Sequence, residues 1–370
     1  MMDIRVSDVI REMERIAPKH LALADDRIGL QLGDPNAVVK RLWVALEVTP
    51  ELVTRAVAEG VDMVVTHHAP LYRPLSQVDW SQPRQRAIAE LVAHRISVFA
   101  AHTNLDVAPG GVNDVIAKRL DLVDQEPLDI TYRTRLKKLV VYTPAASVEA
   151  VRQALCDKGA GHIGNYSHCT FAAPGTGSFV PGDDTHPYIG EAGKLELVSE
   201  VRLETVVPEH LLGEVVSSML AVHPYEEVAY DVFDLALPGA SFGIGRIGQL
   251  SVAQTLAEFA DRARLAFGLP HVRYAGDPGR SVKTVAVLGG SGSGWIGKAL
   301  MAGADVLVTA DISHHQAADA VHDGIAVIDM PHAALEAPVC EEVATRLQAA
   351  LGSRVTVKTA PVAVDPWRWL

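Results

Sequence analysis

The fold is decided by the stretch Asp62-Met63-Val64-Val65-Thr66-His67-His68-Ala69-Pro70. Its run of apolar, mostly branched residues predicts a buried β-strand, and the proline at its end disfavours further regular structure. A strand of this kind delivers two adjacent imidazoles to one edge of a sheet. Open α/β sheets hold their ligands at the carboxyl ends of the strands. We therefore expect other ligand residues to arrive at the same edge.

Composition limits the classes of protein to consider. The chain has 370 residues, of which 48% are hydrophobic, so it can bury more than one core. A formal net charge of -12 without a long basic run argues against nucleic-acid binding and against an anionic membrane surface. Three cysteines without CxxC spacing indicate neither disulfides nor a thiolate zinc site. With no apolar run of membrane-spanning length, the sequence predicts a cytoplasmic protein.

Strands and helices alternate around the histidine pair. Predicted strands at residues 42–48, 62–68 and 96–101 are separated by helical segments, and this βαβαβα order predicts a parallel sheet. The three strands end at Glu47, at the histidine pair and at His102-Thr-Asn-Leu-Asp106. Polar residues at three neighbouring strand ends favour a site over simple turn capping.

The middle of the chain has a different order of elements. From about residue 136 the pattern is βαββαβ, the ferredoxin-like order, and the first pattern returns after Pro238-Gly239. Residues 303–309 also repeat the pattern of residues 60–66, a weak internal repeat. We predict two related three-layer α/β lobes with parallel-rich sheets, at residues 1–130 and 238–370. A ferredoxin-like domain at residues 131–237 interrupts them.

A second pair of potential ligands follows a predicted strand at residues 325–329. His332 and Glu336 are four residues apart and share one face of a helical turn, and imidazole with carboxylate suits zinc, iron or manganese. Adjacent histidines leave a strand on opposite faces, so each can serve a different ion of a pair. Asp106 or Glu336 can bridge such ions. The prediction is a site for two divalent metal ions, whose ligands are His67, His68, Asp106, His332 and Glu336.

Three further polar residues lie near these strand ends. His102, Asp311 and His315 either orient the ligands through hydrogen bonds or are ordinary loop residues, and the sequence favours neither interpretation.

A glycine-rich turn at residues 289–298 invites a different interpretation. It nearly matches the phosphate-binding loop GxxxxGK[ST], but Ala299 replaces the hydroxyl residue and Trp295 crowds the turn. A structural turn is favoured, ahead of an anion-binding turn and of a nucleotide-binding loop.

Several motifs together resemble those of a known family. Residues 26–33 resemble its "GLQxG" segment, residues 64–70 its "THHP" strand, and residues 102–114 its "HTNLD…GGxND" motif. Residues 289–293, 309–311 and 329–336 resemble its closing motifs. These are features of the Nif-three-like dinuclear-metal family, whose members are widely labelled GTP cyclohydrolase I type-two homologues. The middle of the chain is similar to the family's long bacterial form, whose inserted domain resembles the PII and CutA proteins.

The resemblance implies two metal ions at the five named ligands and a ring-shaped homohexamer. Our main hypothesis is a metal-dependent hydrolase of a nucleotide-like or phosphate-bearing small molecule, with Glu47 and His102 as candidates for the general base. The alternative is a non-enzymatic metal-handling or regulatory protein, with an insert that senses a small ligand.

Overall fold

The computed structural model describes residues 3–361 and 365–367. The chain divides into two compact units. The outer unit comprises Met1–Tyr132 and Phe242–Leu370, and the inner unit is Arg133–Ser241. The three-domain assignment at residues 1–130, 131–237 and 238–370 stays a prediction. Within the described residues, no helix is both long enough and apolar enough to cross a membrane.

Strands are numbered in chain order: β1 (Gly29–Leu32), β2 (Arg41–Ala45), β3 (Met63–Thr66), β4 (Ser97–Ala100), β5 (Val123–Arg133), β6 (Leu136–Pro144), β7 (Thr170–Phe179), β8 (Glu196–Pro208), β9 (Tyr230–Asp234), β10 (Ser241–Thr255), β11 (Arg273–Ala275), β12 (Ser281–Ser291), β13 (Val306–Ala310), β14 (Ala326–Asp329) and β15 (Thr356–Thr359). The helices are α1 (Val6–Ile16), α2 (Pro50–Ala58), α3 (Pro83–Ala93), α4 (Thr103–Val107), α5 (Val112–Arg119), α6 (Val148–Cys156), α7 (Leu212–Val222), α8 (Leu256–Ala266), α9 (Ile296–Met301), α10 (His314–Asp323), α11 (His332–Glu336) and α12 (Pro338–Leu351).

The outer unit contains two sheets. One has five strands in the order β1-β4-β3-β2-β15, and the other has six in the order β11-β14-β13-β12-β10-β5. Strands β2, β3, β4 and β15 pair in parallel, as do β12, β13 and β14. Sequence order assigns β15 to the second lobe, but it pairs with β2 of the first sheet. The predicted α/β class with parallel-rich sheets is confirmed.

Both sheets share a central pattern. In each sheet, three neighbouring parallel strands are ordered β4-β3-β2 or β14-β13-β12, the reverse of their order in the chain. An antiparallel strand, β1 or β11, pairs with β4 or β14. The middle strands of the two triplets are β3 and β13, which belong to the two segments whose sequences repeat. All residues of both strands are buried. Because β3 and β13 have the same place in matching triplets, the residues that follow them leave the two sheets at equivalent positions.

Local signals start the helices that surround these sheets. Thr49 caps α2 by accepting the Leu52 N–H at 3.1 Å, with Pro50 in the first turn. Strand β10 continues to Thr255, and α8 begins at the next residue. Thr255 then caps α8 in a reciprocal pair of hydrogen bonds with Glu258.

The sheets and helices of the outer unit enclose a large shared core. Buried residues from β2, β3 and β4 belong to the same hydrophobic cluster as those from β12, β13 and β14, together with α1, α5, α8 and α12. A second cluster covers the opposite face of the first sheet, where Trp43 and Val64 pack with Leu52 of α2 and Leu91 of α3. Burial on both faces explains why the central strands are apolar along their whole length.

The inner unit has the element order β6-α6-β7-β8-α7-β9. Its sheet is antiparallel in the order β7-β8-β6-β9. Helices α6 and α7 cover one face, where Leu155 and Met219 pack on Leu139 and Leu203. A relation of this unit to the PII and CutA proteins stays a prediction.

The buried histidine of the inner unit gives it a pH-dependent stability. His223 Nε2 donates to Tyr142 O and Nδ1 accepts the Tyr225 N–H, each at 3.1 Å, so the ring is neutral. Burial lowers the pKa of His223 below its ordinary value. The unfolded chain therefore binds this proton more readily, and the contribution to stability is lost as the pH falls below about 6.5.

We expect His223→Gln to reduce the loss of stability that the inner unit shows as the pH falls. Hydrogen exchange of the β6 amides, compared between wild type and variant at pH 5.5 and again at pH 8, measures the local opening free energy. Protection in the wild type should fall more steeply with acid than in the variant, while exposed His162→Gln should behave as wild type. Equal pH dependence in all three proteins would exclude this role for His223.

Candidate metal centre

Strand ends of both sheets of the outer unit converge on one cluster. His67 and His68 follow β3, and their backbone N–H groups donate to Ala45 O and Leu46 O at 3.2 and 2.8 Å. These bonds continue the strand pairing by two residues and fix the direction in which the imidazoles leave. Asp106 lies on the short helix α4 after β4.

The second sheet supplies the other two predicted ligands. His332 and Glu336 are the first and last residues of α11, after β14. All five predicted ligands thus lie in one cluster.

Glu336 lies at the centre of the cluster, with each carboxylate oxygen facing a different group. Oε1 is 3.7 Å from His67 Nε2, which is in turn 3.6 Å from Asp106 Oδ1. Oε2 is 3.0 Å from His68 Nε2 and 2.9 Å from His332 Nε2. His67 and His68 therefore face different oxygens of the Glu336 carboxylate. We call the first group (His67, Asp106, Oε1) set one and the second (His68, His332, Oε2) set two.

The distances in set one fit shared ligands better than hydrogen bonds. Two atoms bound at about 2.0–2.2 Å to one tetrahedral ion lie about 3.3–3.6 Å apart. Hydrogen bonds of this type are shorter, at about 2.7–3.2 Å. The separations of 3.6 and 3.7 Å in set one match the longer distance.

Buried atoms without partners support the same interpretation. Within the described part of the chain, His67 Nε2 and Asp106 Oδ1 are buried and have no hydrogen-bond partner. His67 is 2% exposed and Glu336 3%, so water does not compensate freely. Buried polar atoms are normally hydrogen-bonded, and ion coordination is a common reason for exceptions. The donor set of imidazoles and carboxylates therefore fits divalent metal ions.

Hydrogen bonds at the far side of two rings select the nitrogen that faces the cluster. His67 Nδ1 donates to Ala101 O at 3.0 Å, and His332 Nδ1 donates to Asp311 Oδ2 at 2.7 Å. Both rings then present the Nε2 lone pair inward, as metal-binding histidines do. Asp311 also accepts from the Ser291 hydroxyl.

The carboxylates raise the affinity of the neighbouring imidazoles for protons. Burial opposes protonation of His68, but its contacts with Glu336 and Glu47 raise its pKa to about 9. The hydrogen bond with Glu336 is the main cause that raises the pKa of His332 to about 9. Burial likewise opposes ionisation of Glu336, yet the surrounding histidines hold its pKa well below the ordinary value. A divalent cation would displace the protons of these imidazoles.

Asp106 is different, because burial is the main influence on it and raises its pKa to about 6.

His102 lies at the edge of the cluster and is oriented by a buried carboxylate. Its Nδ1 donates to Asp26 Oδ1 at 2.8 Å, while the Thr103 N–H donates to Asp26 Oδ2 at 2.9 Å. Burial would raise the pKa of Asp26, but the hydrogen bonds from His102 and Thr103 lower it below its ordinary value. The ring centroid of His102 is 5.2 Å from that of His67, and a ring nitrogen of His102 lies within 4.8 Å of ring nitrogens of His67 and His68.

Glu47 and His315 have different positions. Glu47 Oε2 lies 3.7 Å from His68 Nδ1 at the more exposed rim. His315 is exposed at the start of α10, where its ring centroid is 5.3 Å from that of His314. The metal-binding groups found among the described residues do not include it.

The glycine-rich turn has a structural function. The Gly289 N–H donates to Asn113 Oδ1 and the Gly292 N–H to Thr309 Oγ1, both at 2.9 Å. Lys298 pairs with Asp129. Since these groups have partners within the protein, the nucleotide-binding interpretation of the turn is not supported.

Gly290 brings the backbone of this turn against the cluster. It has φ +71°, and a Cβ at this position would lie 2.5 Å from Glu336 Oε1. We expect Gly290→Ala to displace Glu336, lower metal content and destabilise the protein by about 1–3 kcal/mol. Gly294→Ala is the matched control, because nothing lies within 4 Å of its Cβ position. Denaturant unfolding and elemental analysis measure both effects, and equal values for the two variants would contradict this role of Gly290.

Sequence reasoning did not assign the roles of Asp26 and Gly290. Asp26 was part of a motif, but no local pattern links it to His102, 76 residues away. Gly290 belonged to a turn with many glycines, and only the fold shows which of them touches a ligand.

Comparisons with known proteins agree with the motifs. A family model described as Duf34/NIF3 (NGG1p interacting factor 3) matches residues 4–366. A Bacillus subtilis (strain 168) protein named GTP cyclohydrolase 1 type 2 homolog is 46% identical over 324 residues, which cover 88% of this chain and 87% of that protein. A Mycobacterium tuberculosis (strain ATCC 25618 / H37Rv) protein with the same name is 38% identical over 372 residues, covering 99% and 97% of the two chains.

A solved structure described as a Bacillus cereus protein related to NIF3 has a TM-score of 0.93 and 39% identity, with 100% of both chains covered. The resemblance inferred from the motifs is confirmed, and the chain belongs to the Duf34/NIF3 family.

Proposed function

We propose that this protein holds two divalent metal ions and is a metal-dependent hydrolase of a nucleotide-like or phosphate-bearing small molecule. The observation that carries the proposal is the position of Glu336, whose two oxygens face separate sets of nitrogen and oxygen atoms. A carboxylate in this position can bridge two ions, as in sites that hydrolyse phosphoesters and related bonds. Zinc, iron and manganese all suit these ligands.

The protein's residues have separate tasks in this proposal. Set one and set two hold the ions, which when bound supply Lewis acidity and lower the pKa of a coordinated water. Asp26 fixes the tautomer of His102, so that Nε2 can accept a proton beside the cluster. The fixed positions of the ligands at strand ends reduce the reorganisation that the reaction requires.

Nucleotides are the first substrates to test. Relatives carry the name GTP cyclohydrolase 1 type 2 homolog, which supports GTP as one member of the panel. Phosphate monoesters and diesters complete the panel. Paired divalent ions commonly stabilise the attacking and leaving oxygens when a phosphoester is hydrolysed.

The experiment combines metal content with turnover. Protein reconstituted with zinc, iron or manganese is analysed for bound metal, then incubated with GTP, p-nitrophenyl phosphate and bis(p-nitrophenyl) phosphate. We expect close to two ions per chain and turnover of at least one substrate, both reduced in His67→Ala. Bound metal without any turnover above the His67→Ala background would reject the hydrolase and retain the metal site. Absence of bound metal would reject both.

We also propose a homohexamer, on the basis of the family resemblance. Native mass spectrometry of the metal-reconstituted protein, at the concentration used for the turnover assay, tests the hexamer. A monomer or dimer would reject it.

A further inference from the structure

The inner unit contains a cavity that the metal centre does not use. Its volume is about 680 Å³, and its lining is formed by parts of β7 and β8 together with residues 180–189 and 225–229. This volume is in the range of cavities that bind small molecules. Four aromatic rings contribute to the wall, those of Tyr142, Phe179, Tyr188 and Tyr225.

Two of the aromatic rings lie beside the ring of Tyr225. The ring centroids of Phe179 and Tyr188 each lie 6.2 Å from that of Tyr225. The Tyr188 side of the wall is accessible, since this residue is 59% exposed. A ligand entering here meets the edges and faces of several rings.

A buried carboxylate lines the same cavity. Glu200 is 9% exposed, and its Oε1 accepts a hydrogen bond from the Tyr225 hydroxyl at 2.8 Å. Its Oε2 takes no hydrogen bond from residues of the described chain. Gly177 leaves the space that this carboxylate occupies, because a Cβ there would lie 2.1 Å from Oε2. This second oxygen is therefore available to a ligand that enters the cavity.

The other charges of the lining are mainly negative. Glu226 and Glu227 also border the cavity, and Glu226 accepts the His186 N–H at 2.9 Å. Arg202 is the cation of the lining, and Glu204 partly neutralises it at 3.3 Å. The three carboxylates therefore outweigh one paired guanidinium, and the cavity favours a positive ligand.

We propose that this cavity binds a small organic cation with an aromatic or methylated-ammonium group. The rings attract the cation through their faces, and Glu200 supplies the opposite charge. The hydroxyl of Tyr225 keeps the carboxylate in place. None of the lining residues is a proposed metal ligand, so the binding test does not rest on the proposed hydrolysis.

Calorimetric titration of the full chain with benzyltrimethylammonium tests the proposal. Benzoate and benzyl alcohol serve as the anionic and neutral probes of similar size. We expect saturable binding of the cation, and affinity at least about tenfold weaker for the other two probes. Saturable binding of benzoate in preference to the cation, or no binding of the cation, would overturn the proposal.

Variants locate the binding site. Glu200→Gln retains an oxygen for Tyr225 but removes the charge, and should weaken cation binding about tenfold or more. Tyr188→Ala removes an accessible ring without disturbing the buried core, and should weaken it as well. Glu214→Gln, an exposed change on α7, is the control for net charge. Equal affinity in Glu200→Gln, Tyr188→Ala and the control would overturn the assignment to this cavity.

Discussion

Glu336→Gln is expected to lose both metal ions while the protein stays folded. The amide retains the volume of the buried side chain, but it removes the negative charge shared by set one and set two. Loss of an orienting partner outside the ligand shell already costs about 10–100-fold in metal affinity. Loss of a bridging ligand should therefore reduce affinity by more than about 100-fold at both positions. Elemental analysis after dialysis at a fixed free metal concentration measures the remaining ions.

Single-ligand variants separate the two positions. His67→Ala removes a ligand of set one and His332→Ala a ligand of set two, so each should lose mainly one ion. Glu341→Gln is the matched control, because this carboxylate is 75% exposed on α12. Retention of two ions by Glu336→Gln would contradict the bridging role. Loss of both ions in either histidine variant would show that the two positions are not independent.

Metal removal should also lower the melting temperature of the wild type. The ligands come from residues 67–106 and residues 332–336, which the fold brings together from both sheets. A ligand that binds the native state alone stabilises it by an amount that rises with its free concentration. The same treatment should change the melting temperature of Glu336→Gln little, because that variant has no bound metal to lose.

Several features of this site could be predicted from the sequence because they are local. An apolar run that ends in two histidines defines both a strand and the edge to which it delivers ligands. The spacing of His332 and Glu336 places both on one turn of α11, as the structure has them. The alternation of strands and helices likewise predicts the parallel core of each sheet.

Features that depend on contacts between residues far apart in the chain could not be predicted from the sequence. The hydrophobic pattern of β15 marks a strand, but not the sheet that it joins, and it pairs with β2 more than 300 residues earlier. The proposal of Glu336 rather than Asp106 as the bridging carboxylate also depends on tertiary distances. Both are acids near strand ends, and only the fold shows that Glu336 lies between the two sets.

The role of His102 illustrates the same limit in the proposed chemistry. Its position after β4 made it a candidate base, but the sequence contains no sign of the carboxylate that orients it. In the structure, the Asp26 side chain is 4% exposed and its two oxygens accept hydrogen bonds from His102 and Thr103. The pair has the arrangement of a general base and the acid that orients it, as found in other hydrolytic sites.

Asp26→Asn is expected to reduce turnover of the substrate identified by the screen by about 10²–10⁴-fold, the usual contribution of general acid–base catalysis. The asparagine amide can donate to His102 Nδ1, which favours the tautomer whose Nε2 carries the proton and cannot accept another. Binding of substrate and of both ions should change little. The expected signature is therefore a lower kcat with similar KM and two ions per chain, measured by steady-state kinetics and elemental analysis.

Asp25→Asn is the matched control, since Asp25 is exposed and its φ of +63° is a backbone conformation that asparagine tolerates. It should retain wild-type turnover, and His102→Gln should share the defect of Asp26→Asn. Normal kcat in Asp26→Asn would remove His102 from the proton transfer. A variant that loses metal together with activity would instead assign His102 to the ligands, because its ring nitrogens lie close enough to those of His67 and His68 to share an ion with them.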